Sequence, residues 1–277
     1  MSCIAAVLIA LAVGASDEPK PIESEHALAQ LLGQPCSAFQ FLAGVSVYNP
    51  LSDKELFAVT SSSENQPMSL VFIDRKEQKT VGAAAPSGAG AWALTQLPNP
   101  NLLAVGTHRD GKIMVFDMEK WAYVASAQFP GESYIWNFAP GKDGRFYFGT
   151  YPGGKLGAFD PAGLAADPPA ITIEDCGAPL PPNMYLRLVS PLPDGRILCS
   201  FGMQQPGVRI YDPATKQFSE PPASMAGITT GVVWNNYFLS GDKVLNAALE
   251  PVAPLPFPAP PADKGAWEVA GEVTRVD

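Results

Sequence analysis

Four short segments of the chain share one signature, an apolar run closed by an aspartate. They are Leu70-Val71-Phe72-Ile73-Asp74, Ile113-Met114-Val115-Phe116-Asp117, Leu156-Gly157-Ala158-Phe159-Asp160 and Val208-Arg209-Ile210-Tyr211-Asp212. The first three aspartates are spaced 43 residues apart, and the fourth follows after 52. A period near forty, filled with strand-like segments, marks a repeated supersecondary unit that must bury its apolar faces against its neighbours. The expected fold class is all-β, a β-propeller in which each repeat is one four-stranded blade.

Turn chemistry cuts the chain at matching places. Asp143-Gly144, Asp194-Gly195 and Asn99-Pro100-Asn101 separate the first two strands of their blades, while Asp110-Gly111 and Gly153-Gly154 separate the second and third. Blade one is expected from Ala43, blade two from Ala91, blade three from Tyr134, blade four from near Met184 and a fifth from Gly231. Gly265-Ala266-Trp267 then echoes Gly90-Ala91-Trp92, so about five complete blades and the start of another are expected. Two arrangements remain open. The chain is the front part of a six- to eight-bladed propeller, or its last strands close a small ring with the first blade. The repeated aspartates read as caps of the turns that follow them, not as metal ligands.

Composition narrows the function classes. The 25 glycines and 29 prolines in 277 residues suit many short strands and oppose a helical bundle. A formal charge of −9, with no cluster of Lys or Arg, opposes binding to phosphate backbones, so no nucleic-acid partner is expected. Ile4 to Val13 is an apolar run too short to span a bilayer, followed by Val13-Gly14-Ala15 and then Ser16-Asp17-Glu18. It reads as a signal peptide over residues 1–16, although no Lys or Arg precedes it. A leader with a short helix is expected over 17–38 and the propeller over 39–277. The mature protein would be secreted or periplasmic, without a membrane span. Cys36, Cys176 and Cys199 show no metal-ligand spacing, and neither a metal nor another cofactor is expected.

The candidate site follows from the repeat. The turn between strands two and three of a blade emerges on the same rim as the start of its innermost strand. His108, Arg109, Tyr151 and Gln204 come from such turns, and Tyr134, Trp136, Tyr185 and Arg187 come from the innermost strands. Aromatic platforms with a few polar groups on one concave face are the make-up of a small-molecule or sugar site. His108 is the sole histidine outside the leader and so the sole candidate for histidine acid–base work.

The stretch from Asp143-Gly144-Arg145 through Thr150-Tyr151-Pro152-Gly153-Gly154-Lys155 to Asp160-Pro161 resembles blades of the secreted and periplasmic propeller superfamily, which includes lactonase-like, gluconolactonase-like and YVTN-type proteins. The resemblance covers roughly residues 40–250 and implies the fold. The metal set of gluconolactonase-like members has no match here. Some polysaccharide lyases are also propellers and use histidine, tyrosine and arginine; His108, Tyr151 and Arg187 are of those types. The expected function is ligand binding on this face, to a carbohydrate, another small molecule or a protein partner. The alternative is a polysaccharide lyase or lactonase with His108, Tyr151 and Arg187 as its catalytic set. The lyase needs His108, Tyr151 and an arginine to converge within about one sugar ring.

Overall fold

A computed structural model describes residues 40–62, 67–203 and 205–253. The proposed signal and leader, Cys36, Gln204 and the Gly265 echo lie outside the described residues. The described residues form strands and turns with two short 3-10 helices, Pro161–Ala165 and Ala223–Met225, and every strand pairing among them is antiparallel. The first sheet runs β1 (Gln40–Asn49), β2 (Lys54–Ser62), β3 (Ser69–Asp74) and β4 (Lys79–Ala84) in sequence order. The second holds β5 (Gly90–Gln96), β6 (Leu102–His108), β7 (Lys112–Asp117) and β8 (Ala122–Gln128). The third holds β9 (Tyr134–Pro140), β10 (Phe146–Tyr151), β11 (Leu156–Asp160) and β12 (Thr172–Gly177). The fourth runs β13 (Leu186–Pro191), β14 (Ile197–Phe201), β15 (Gly207–Asp212) and β16 (Gln217–Ser219). A single pair, His108 with Tyr134, joins the second and third into one eight-stranded sheet.

Two sequence expectations need correction. The first inner strand begins by Gln40, earlier than Ala43. The fifth blade is not complete among the described residues. It has three short strands, β17 (Val232–Trp234), β18 (Tyr237–Ser240) and β19 (Lys243–Leu245), after which Leu245 bridges to Pro251.

The repeated aspartates cap turns. Asp74 Oδ1 accepts from the backbone N–H groups of Lys76 and Glu77, and Asp117 Oδ1 from those of Glu119 and Lys120. Asp160 and Asp212 accept from Ala162 and Ala214, each at 2.8 Å. A fifth copy went unread in the sequence. Asn246 closes β19 and its Oδ1 accepts from Ala248 and Glu250 at 2.9 Å, because an amide oxygen serves this turn as well as a carboxylate does.

Successive sheets pack face to face. Val47, Ala58, Leu70 and Phe72 of the first meet Leu103, Val105, Met114 and Phe116 of the second, and comparable apolar layers separate the other pairs. One position on the second strand sets how closely the next inner strand approaches. Thr60 donates to the Ala91 carbonyl at 2.7 Å, and its counterpart Ser200 donates to the Thr229 carbonyl. In blades two and three the same position is Gly106 and Gly149, where a Cβ would collide with Ile135 and with the Leu186 backbone. Side-chain amides add clasps between inner strands. Gln96 takes both backbone groups of Tyr48, and Asn137 takes both of Val189.

The inner strands share a further irregularity. Pairing slips by one residue between Phe41 and Ala43, between Ala91 and Ala93, opposite Gly149, and between Leu186 and Leu188. These are β-bulges, each leaving a residue out of the ladder. The residues at the four slips are Leu42, Trp92, Trp136 and Arg187.

Candidate functional site

The bulges and the rim build one aromatic surface across blades two, three and four. The turn after β6 is seated under the residues that lead into β9: Gly111 has φ 54°, and a Cβ there would strike the Glu132 carbonyl. Gly154, with φ 58°, sits the same way under Asn183. Only glycine allows both the backbone conformation and the contact. This seating brings the ends of β6 and β10 beside the starts of β9 and β13.

The rings then meet in a continuous series. His108 stacks on Tyr134 (5.3 Å between centroids, 15° between planes), and Tyr134 stacks on Trp136 (5.0 Å, 26°). Tyr151 meets Tyr134 edge-on at 5.3 Å and stacks on Tyr185 at 4.4 Å. Trp92 lies 5.8 Å from Trp136 and 6.5 Å from His108. The Arg187 guanidinium lies over both indoles, 4.5 Å from the centre of Trp136 and 5.6 Å from that of Trp92. Such cation–π contacts hold the guanidinium against the rings. The tyrosines, Trp92 and Arg187 are half-buried, so their edges reach solvent while their faces are largely taken by one another.

Two buried polar atoms of this surface have no partner: His108 Nδ1 and Trp136 Nε1, in residues only 7% and 8% exposed. Ser62 donates its hydroxyl proton to the Ala89 carbonyl at 3.0 Å and lies 3.5 Å from His108 Nε2. That arrangement favours the tautomer with its proton on Nε2, leaving Nδ1 as the free acceptor. Burial, with Arg109 as the next cause, holds the His108 pKa below its ordinary value against an opposing pull from Asp110. The hydrogen bond with Tyr151, aided by burial and by the neighbouring phenols, holds the Tyr185 pKa above its usual value despite Arg187.

The structure thus brings together His108, Tyr134, Trp136, Tyr151, Tyr185 and Arg187. Arg109 is exposed beside them, with φ 74° in the turn after β6. His108 is the last residue of β6 and is buried, not a turn residue in solvent. Tyr134 contacts both His108 and Tyr151, and Arg187 sits on the indoles. Trp92 also belongs to this surface, although it was not among the site residues expected from the sequence. Its alignment with Trp136 in the next repeat was the available signal.

A cleft of about 340 Å³ adjoins this surface through Trp92 and is lined mainly by inner-strand residues such as Gly44, Ser46, Ala93 and Phe138. Among the described residues no cluster of three His, Cys, Asp or Glu side chains is poised to hold a metal ion, and no helix is long and apolar enough to cross a membrane.

No family model matches the sequence, and no curated protein matches it. Solved structures do. The β-propeller domain of Cps50 (Swd1) from Myceliophteria thermophila aligns with a TM-score of 0.52 at 14% identity, over 67% of this chain and 62% of that one. The chain folds as a β-propeller. A catalytically inactive virginiamycin B lyase from Staphylococcus aureus aligns with a TM-score of 0.47 at 10% identity, over 75% of this propeller and 84% of the lyase. A chain of a mitotic checkpoint complex aligns at 0.47 and 14%, over 61% of this propeller. The propeller spans 48% of that checkpoint chain and 62% of the Swd1 domain.

Proposed function

We propose that this chain is an exported ligand-binding propeller whose aromatic end takes a carbohydrate. The observation that carries the reading is the ring series across three blades, with tyrosine edges, phenol hydroxyls and a guanidinium open to solvent. Because the rings already support one another, little side-chain ordering remains to be done on binding. Amphipathic rings bearing one polar tip suit ligands that alternate C–H faces and hydroxyls.

Binding is favoured over the lyase or lactonase reading by the same geometry. A base must reach the proton that it removes, yet His108 is buried against Tyr134, and Tyr134 lies against Tyr151 as well. The Tyr151 hydroxyl and the arginines of this end are placed to recognise a ligand, and in the lyase alternative the base would have to be Tyr151, not His108.

Retention on an array of oligosaccharides tests the proposal. The wild type is expected to retain at least one glycan class, and Tyr151→Ala together with Tyr185→Ala to lose it with the sheet circular dichroism intact. Retention that survives both substitutions would place the site elsewhere. A wild type that retains no glycan, yet captures a protein through this face, would replace the carbohydrate with a protein partner.

A further inference from the structure

We propose that Arg187, laid on Trp92 and Trp136, is a preformed carboxylate subsite, so that the saccharide taken here is acidic and bears a uronate. The inference rests on the carbohydrate reading above and narrows its ligand.

Three observations carry it. The first is the missing partner. Arg145 is held by Asp143 and Glu174, Arg196 by Asp194, and Arg209 by Glu220. Arg187 has no carboxylate within ion-pair distance and makes no hydrogen bond among the described residues, though it is half-buried. A guanidinium carries five N–H donors in its plane, and leaving them all unused is costly unless solvent or a ligand takes them.

The second is posture. The bulge in β13 lifts Arg187 out of the ladder, and two indoles fix the cation from its face. The indoles hold the cation without using its N–H groups, and those groups are what a carboxylate meets with two parallel hydrogen bonds. The unpartnered indole N–H of Trp136 is a further donor in the same assembly.

The third is charge. The chain carries −9 overall, yet the acids at this end are engaged elsewhere. Asp110 is bonded to Thr107 and lies 3.5 Å from Lys112, and Glu132 is buried against the Gly153 N–H. Arg109 and Arg187 are left as cations without acidic partners among the described residues, so an acidic ligand finds two cations free to meet it on an acidic protein. A uronate carries its carboxylate directly on the sugar ring, so a sugar held at the tyrosine edges would bring an anion to the surface that also bears Arg187.

The test compares oligogalacturonides with their methyl esters, with neutral oligosaccharides of equal length and with sulfated ones, by calorimetry and by indole fluorescence. The free acid is expected to bind at least tenfold tighter than the ester, to quench or shift the indole emission, and to weaken as salt rises. Arg187→Gln should abolish the difference between acid and ester, and Arg187→Lys should restore little of it, since an ammonium neither stacks nor forks. The wild-type comparison does not depend on how either variant folds. Equal binding of acid and ester would overturn the acidic subsite while leaving the carbohydrate reading intact. A preference for sulfated sugars would overturn the carboxylate assignment, and binding of no saccharide at all would overturn both.

Discussion

His108 is where burial, charge and hydrogen bonding pull hardest against one another. Its ordinary pKa is 6.5, and burial together with Arg109 lowers it in the folded protein. Above pH 6.5 the ring is neutral in both states and contributes no pH dependence. Below that value the unfolded chain takes up a proton that the folded chain resists, so stability falls as the pH drops from 6.5 towards the folded pKa. His108→Phe keeps a ring on Tyr134 and removes this slope. Urea midpoints at pH 7.5, 6.5 and 5.5 should therefore decline more for the wild type than for the variant. The turn caps act at the same scale. Asp117→Ala is expected to lose about 1 kcal/mol in urea unfolding, because two backbone N–H groups lose their acceptor, and Asp117→Asn to lose little. The aspartate caps were legible in the sequence because a carboxylate recurs at a fixed period. Asn246 was not, since it carries no charge to mark it, although the turn needs only an oxygen.

Strand placement was legible for a physical reason, since the apolar alternation and Gly-rich turns that define strands are local. Ser69–Asp74, Lys112–Asp117, Leu156–Asp160 and Gly207–Asp212 are strands that each end on the aspartate of the repeated signature. The bulges were hidden, because an extra residue exists only relative to a partner strand, and pairing is not local. That is why Trp92 was not expected beside Trp136, although it sits at the same slip. The spacing between sheets was hidden as well. Gly149 looks like a turn glycine beside Thr150, yet its lack of a Cβ is what seats the Leu186 backbone. Gly149→Ala should cost about 3 kcal/mol or more, since backbone must move to relieve the clash. Gly131→Ala has no atom within 4 Å of the new carbon and suffers only from φ 80°, so about 1 kcal/mol is expected. The two denaturation curves, side by side, separate crowding from conformation.

Across the whole molecule the first sheet repeats the plan of the others on a face with less cover. Phe57, Val59, Val71 and Ile73 hold the positions of Leu103, Val105, Met114 and Phe116, which are buried against the preceding sheet. Phe57 is 39% exposed, and Val71 and Ile73 are half-buried. Phe116→Ala is expected to lose about 3–5 kcal/mol, and the equivalent Ile73→Ala about 1 kcal/mol or less, in matched urea titrations. An Ile73→Ala loss as large as that of Phe116→Ala would mean instead that the outer face is as well covered as the inner ones. The four bulges have a separate consequence. Each blade lends the central face one side chain that is spared any duty in its own ladder, and the letters now written there are Leu42, Trp92, Trp136 and Arg187. Such positions form a short alphabet that can be respelled, one blade at a time, while the grammar of strands and turns beneath them stays the same.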